Sequence, residues 1–115
     1  MNSRFSIATW LLWLALPLTA WDYWRVWDRL PQRVAIHFDI NWRANGFTSR
    51  QGAFSIMVGM VAFLLITFTV TLLFVQRAPN PGFMPWVMLT FFYATAIFVC
   101  AINHWMIAYN LRPPG

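Results

Sequence analysis

"RQGAFSIMVGMVAFLLITFTVTLLFVQR", residues 50–77, decides the class of fold. Between Arg50 and Arg77 lie 26 residues without a charge. A bilayer core of roughly 30 Å takes about 20 helical residues to cross, so this stretch is long enough to span one. Two flanking stretches share its character. Arg4 and Asp22 bracket 17 uncharged residues, and Arg77 and Arg112 bracket 34. The chain of 115 residues is 60% hydrophobic and 10% charged, whereas soluble domains carry about 25% charged residues. The expected fold is an all-α integral membrane protein. It is a single membrane domain over residues 1–115, with three transmembrane helices and a short hairpin-like capping loop between the first two.

Local signals set the boundaries. The first helix is expected over about 5–30. Pro17 should kink it rather than end it, because membrane helices tolerate proline. Trp21, Tyr23, Trp24 and Trp27 form an aromatic belt at its far end. Trp21, Trp24 and Asp28 keep helical spacing up to Leu30, and Pro31 is the stop. The capping loop takes about 31–49. The second helix, about 50–75, opens on a capping box of Thr48 and Gln51, with Ser49 as the rival cap. Along it, Ser55 and Gly59 make a small-xxx-small pair, and Thr67 and Thr71 lie one turn apart, which suits close helix packing. "APNPGFMP" (78–85) is a turn, and the third helix runs over about 85–109. "RPPG" (112–115) cannot continue it. Residues 1–4 look like the basic start of a signal peptide. Leu18 is too large for a cleavage site at Leu18-Thr19-Ala20, so the first span is expected to be retained.

The net charge is +5, with no Lys and no Glu. In a membrane protein such a balance reports loops and lipid headgroups rather than nucleic acid. The expected partners are therefore the lipid bilayer and a membrane protein, either another chain or a second copy, with no nucleic acid. Counting crossings puts the capping loop and the C-terminus on one side. That side holds Arg25, Arg29, Arg33, Arg43, Arg50 and Arg112, and the other holds Arg4 and Arg77. The raw arginine count puts the loop in the cytoplasm. Arg4 and the amino terminus, with Asp22, Asp28 and Asp39 offsetting the loop side, favour the opposite. The orientation stays open. Cys100 is the lone cysteine, so no intrachain disulfide forms.

The polar loop, "LPQRVAIHFDINWRANGFTSR" (30–50), has its own order. Val34, Ile36 and Phe38 point one way; Arg33, Ala35, His37 and Asp39 point the other. This period of two predicts a short strand with one apolar face. Asn45-Gly46 is the turn signal. An isolated hairpin is marginal in water, so this one must lie on the helix ends. The first-helix tryptophans are the nearest support.

These residues resemble the uncharacterised membrane domain at the front of SdpI-type immunity proteins. The resemblance rests on Leu30-Pro31, Val34, Ile36, His37-Phe38, Asn45-Gly46-Phe47 and Ser49-Arg50. It covers the first helix, the loop and the second helix, and reaches the third only by hydrophobicity. Trp42 stands where that family usually has glycine, and Arg50 replaces its usual lysine. The resemblance implies a membrane setting, expected to be the bacterial cytoplasmic membrane. The immunity role belongs to longer proteins with a further membrane domain.

The expected function is that of a small binding, sensing or accessory membrane protein. Its ligand or partner surface would be His37, Phe38, Asp39, Asn45, Gly46 and Arg50. Alternatives are a structural subunit of a larger complex, or a metal- or haem-binding protein through His37 and His104. Cys100, one turn before His104, is a further weak metal candidate. The spacing of these residues matches no recognised metal or haem motif, so no cofactor is expected. No Ser-His-Asp spacing, phosphate-cradling glycine loop or HExxH occurs; no enzyme activity and no catalytic residue are expected. A structural role for His37 would be a hydrogen bond tying the strand down, through Asp28 or Asp39.

Overall fold

A computed structural model describes residues 3–112. Residues 1–2, the first half of the basic start, and residues 113–115 lie outside the described residues. Three helices are long and apolar enough to cross a membrane: Ser3–Trp24, Arg50–Gln76 and Met84–Leu111. They pack pairwise into a bundle 57 Å along its longest axis. At 1.5 Å per residue a 28-residue helix accounts for about 42 Å of that, and a two-stranded cap on one end supplies much of the rest.

The first span is built from α1 (Ser3–Leu11), a 3-10 turn at Leu12–Leu14, and α2 (Ala15–Trp24). Pro17 explains the tightened turn. It has no N–H to give the carbonyl four residues back, and its ring crowds that carbonyl. The span passes through this turn and continues as α2. It ends at Trp24, earlier than the spacing of Trp21, Trp24 and Asp28 predicts. Val26 leaves the helical region (φ −127°, ψ 12°), and Trp27–Arg29 form a separate 3-10 turn before the chain extends at Leu30. α3 (Arg50–Gln76) follows the cap, and α4 (Met84–Leu111) starts with Pro85 in its first turn, where a missing N–H costs nothing.

The N-cap of α3 is Ser49, not Thr48. The Ser49 hydroxyl accepts the Gly52 N–H at 2.9 Å. A Cβ on Gly52 would run into the Thr48 hydroxyl, which would have to turn aside. The buried stripe on α3 is Ala53, Met57, Val61, Leu65, Phe68 and Leu72, spaced at three and four. One core joins it to Phe5, Leu12, Ala15, Leu89 and Phe92, with the Phe68 and Phe92 rings stacked at 4.0 Å. A second core lies under the cap and gathers Tyr23, Val26, Leu30, Val34, Ala53, Met57, Met106 and Ile107. Ser55 and Gly59 are exposed, and nothing lies near a Cβ built on Gly59, so that pair faces out of this bundle.

The cap is an antiparallel hairpin of β1 (Arg33–Phe38) and β2 (Ala44–Ser49). Asn45 and Gly46 are not its turn. Both sit within β2, and the chain reverses at residues 39–43. Asp39 organises that reversal. Its carboxylate accepts the N–H groups of Asn41 (2.8 Å) and Arg43 (3.0 Å), and its carbonyl accepts the Trp42 N–H (3.0 Å). Trp42 carries the left-handed conformation (φ 62°) that glycine adopts without steric cost. This is the position where the resembled family has glycine.

Candidate functional site

The hairpin has two unlike faces. Its inner face packs Val34 into the second core, with Ile36 and Phe38 against it. Phe38 meets Trp105 and Tyr109 of α4 edge-on, both at 5.0 Å between centroids. Support comes from Tyr23 of the first span and from Val26, Trp27 and Leu30 just beyond its end; Trp21 and Trp24 stay exposed. Ala35 is also buried, although the alternation points it outward. The cause is Asn110 of α4. Its side-chain amide accepts the Ala35 N–H (2.8 Å) and donates to the Ala35 carbonyl (2.9 Å), and its other N–H goes to Met106 O (2.8 Å). One side chain thus satisfies both backbone groups of Ala35 on the free edge of β1.

His37 stands on the outer face. It faces Gly46 where the register slips. A Cβ on Gly46 would lie 2.7 Å from the His37 Cβ, so glycine permits this approach. The ring is held by Asn45, with Nδ1 at 2.6 Å from Oδ1. A carbonyl oxygen accepts, so Nδ1 carries the proton, and Nε2 has no partner among the described residues. Neither Asp28 nor Asp39 is the partner of His37. Beside it, Arg33 lies over the exposed Phe47 ring at 5.1 Å.

The sequence-predicted residues therefore divide. His37, Asn45 and Gly46 form one cluster. Phe38 packs inward and Asp39 shapes the turn. Arg50 is half-buried and its Nε donates to the Pro31 carbonyl at 3.3 Å, pinning the entry of the strand. His104 pairs not with His37 but with Asp22 of α2, Nδ1 to Oδ2 at 3.0 Å. Asp22 also accepts from Arg25 Nη2 at 2.6 Å. Cys100 approaches the Thr19 hydroxyl at 3.8 Å. A cleft of about 220 Å³ opens between α2 and α4 along Leu18, Thr19, Asp22, Cys100 and Asn103. Deeper, the Tyr23 hydroxyl donates to Asn103 Oδ1 at 2.9 Å, both buried. Among the described residues, no three of His, Cys, Asp and Glu gather so as to hold a metal.

Two of these residues were not signalled by the sequence. Asp22 and Asn110 act on partners 82 and 75 positions away, and neither sits in a motif.

The hairpin, its flanking helices and the glycine under His37 form one continuous segment. Residues 5–61 match the family model described as Domain of unknown function (DUF1648). The match takes in the first span, the cap and α3 as far as Val61. It leaves out α4, which supplies Asn110, Trp105 and His104. The family is uncharacterised, and the match does not link the chain to SdpI-type immunity proteins in particular. No curated protein and no solved structure matches the chain.

Proposed function

We propose that this chain is a non-enzymatic recognition protein that binds a partner protein at the membrane face through the outer surface of the hairpin. The observation that carries this reading is the setting of His37. Its Nδ1 is fixed by a neighbour on the same exposed surface, and its Nε2 has no partner among the described residues. A histidine that served to tie the cap down would bond to a helix, just as Ala35 is bonded to Asn110 of α4. His37 is oriented but contributes no tie to the bundle. Arg33, Phe47 and Asn45 complete a surface with one cation, one aromatic ring and one amide. The resemblance to the front domain of SdpI-type immunity proteins supports an accessory, immunity-like role in a bacterial cytoplasmic membrane.

The test is His37→Ala, read in two ways. A photo-reactive side chain at Phe47 should give a discrete adduct with one partner, and His37→Ala should remove it. Membrane accumulation should stay near wild type. If the variant fails to accumulate, His37 holds the fold together and the reading is wrong.

A second reading, a structural subunit within a larger complex, is favoured by the outward-facing Ser55 and Gly59 on α3. Small residues let a second helix approach closely. Co-purification of a fixed partner in mild detergent, lost on Gly59→Leu, would support it; a stable lone species would oppose it.

A further inference from the structure

The tip of the hairpin, residues 39–43, does not point away from the membrane end. It folds over the flank of α4. Trp42 meets Trp105 at 5.5 Å between centroids. Together with Phe98, Ala101 and Ile102 they line a groove of about 410 Å³. Phe98, Ala101 and Ile102 are exposed residues on a membrane-spanning helix, so the groove opens directly into the bilayer. Ile40, also at the tip, is 93% exposed.

The side-chain polar groups that line this groove, the Trp42 and Trp105 indole N–H groups, are both donors, and Arg43 follows Trp42 in the turn. The Trp42 and Trp105 indole N–H groups and the Arg43 guanidinium have no acceptor among the described residues. Indole N–H groups ordinarily find one when they sit at a membrane–water boundary. The nearby carboxylate of Asp39 is already engaged by two backbone N–H groups of the turn. The end of the molecule that carries the hairpin also has six arginines against three aspartates. Trp42 holds this position in a left-handed conformation that costs a non-glycine residue energy. Such strain persists where the side chain has a task.

We propose that the groove between the hairpin tip and α4 binds one anionic phospholipid of the surrounding leaflet. An acyl chain lies along Phe98, Ala101 and Ile102 beneath Trp42, and the phosphate sits among Arg43 and the two indole N–H groups. This site does not depend on the partner reading of the outer face. It uses different residues on a different surface.

The experiment is native mass spectrometry of the full chain released from mixed micelles of phosphatidylglycerol and phosphatidylcholine. The wild-type protein should retain one phosphatidylglycerol in preference to phosphatidylcholine. Arg43→Ala should cut retention about fivefold, the weight of one basic residue at an anionic membrane surface. Ala101→Leu, which fills the groove, should do the same through shape alone. Arg77→Ala, at the other end of the bundle, and His37→Ala should leave retention unchanged. Equal retention of the two lipids, or of lipid by wild type and Arg43→Ala, would overturn the proposal. Displacement of the lipid by excess inorganic phosphate would also overturn it, because the site would then hold a free anion.

Discussion

The Asp22 carboxylate takes the Nδ1–H of His104 at 3.0 Å and so links the first span to the third near the cap end of the bundle. Their immediate chain neighbours, Tyr23 and Asn103, repeat the link with both partners buried. The two links differ in their access to water, and this sets what each contributes. The His104 side chain is 63% exposed, and that of Asp22 is 16% exposed.

Tyr23→Phe should therefore be the more damaging change. It leaves the Asn103 oxygen buried without its donor, which costs about 1–3 kcal/mol. His104→Ala removes a partly hydrated pair worth about 0.5–1 kcal/mol. Denaturant titration in a fixed detergent would compare them. The ordering is refuted if His104→Ala is the more destabilising.

Asn110→Ala should loosen the cap and leave the spans intact. It removes both hydrogen bonds to Ala35 and opens the edge of β1. The expected result is faster hydrogen exchange across residues 33–38, with unchanged exchange in the centre of α3. Unaltered exchange at Ala35 would show that the edge is held by something else.

Gly46→Ala should disturb the hairpin, because the new Cβ would sit 2.7 Å from that of His37. Crowding of this kind costs about 1–3 kcal/mol. Adding His37→Gly removes the opposing Cβ, so the double variant should recover much of the loss. A double-mutant cycle measures this coupling directly. Strictly additive effects would mean that the clash is relieved elsewhere.

At Trp42, glycine and valine should behave differently. Trp42→Gly relieves a left-handed strain of about 1–2 kcal/mol and gives up an aromatic pair worth about 0.5–1.5 kcal/mol. Its net effect on hairpin stability should be small. Trp42→Val keeps the strain, worsens it by β-branching, and loses the pair. Equal stabilities for the two variants would show that backbone conformation at 42 is not the deciding term.

The spans were legible because charge is absent over whole helices: Arg50 and Arg77 mark the ends of α3 almost to the residue. The strand was legible because Val34, Ile36 and Phe38 alternate. The turn was misplaced for a physical reason. Asn45-Gly46 is a strong turn dipeptide, but here Gly46 is small to admit His37. The residue that needs the glycine-like conformation is Trp42, whose side chain hides that need. Thr48 and Ser49 are both sound caps in sequence, and only the path of the chain chooses between them. The pairs Asp22–His104 and Asn110–Ala35 join distant elements. No local pattern encodes them, and they emerge only when α4 packs against the first span and the cap.

The clamp at Ala35 comes from outside the segment of this chain that matches the family model. The family segment includes the strand but not the amide that saturates its border. Left open, that border would present an unsatisfied N–H and carbonyl to whatever came near. Residues 5–61 by themselves are thus a socket with one side missing. Here α4 completes it, and Asn110, inserted there, decides how firmly the hairpin is seated.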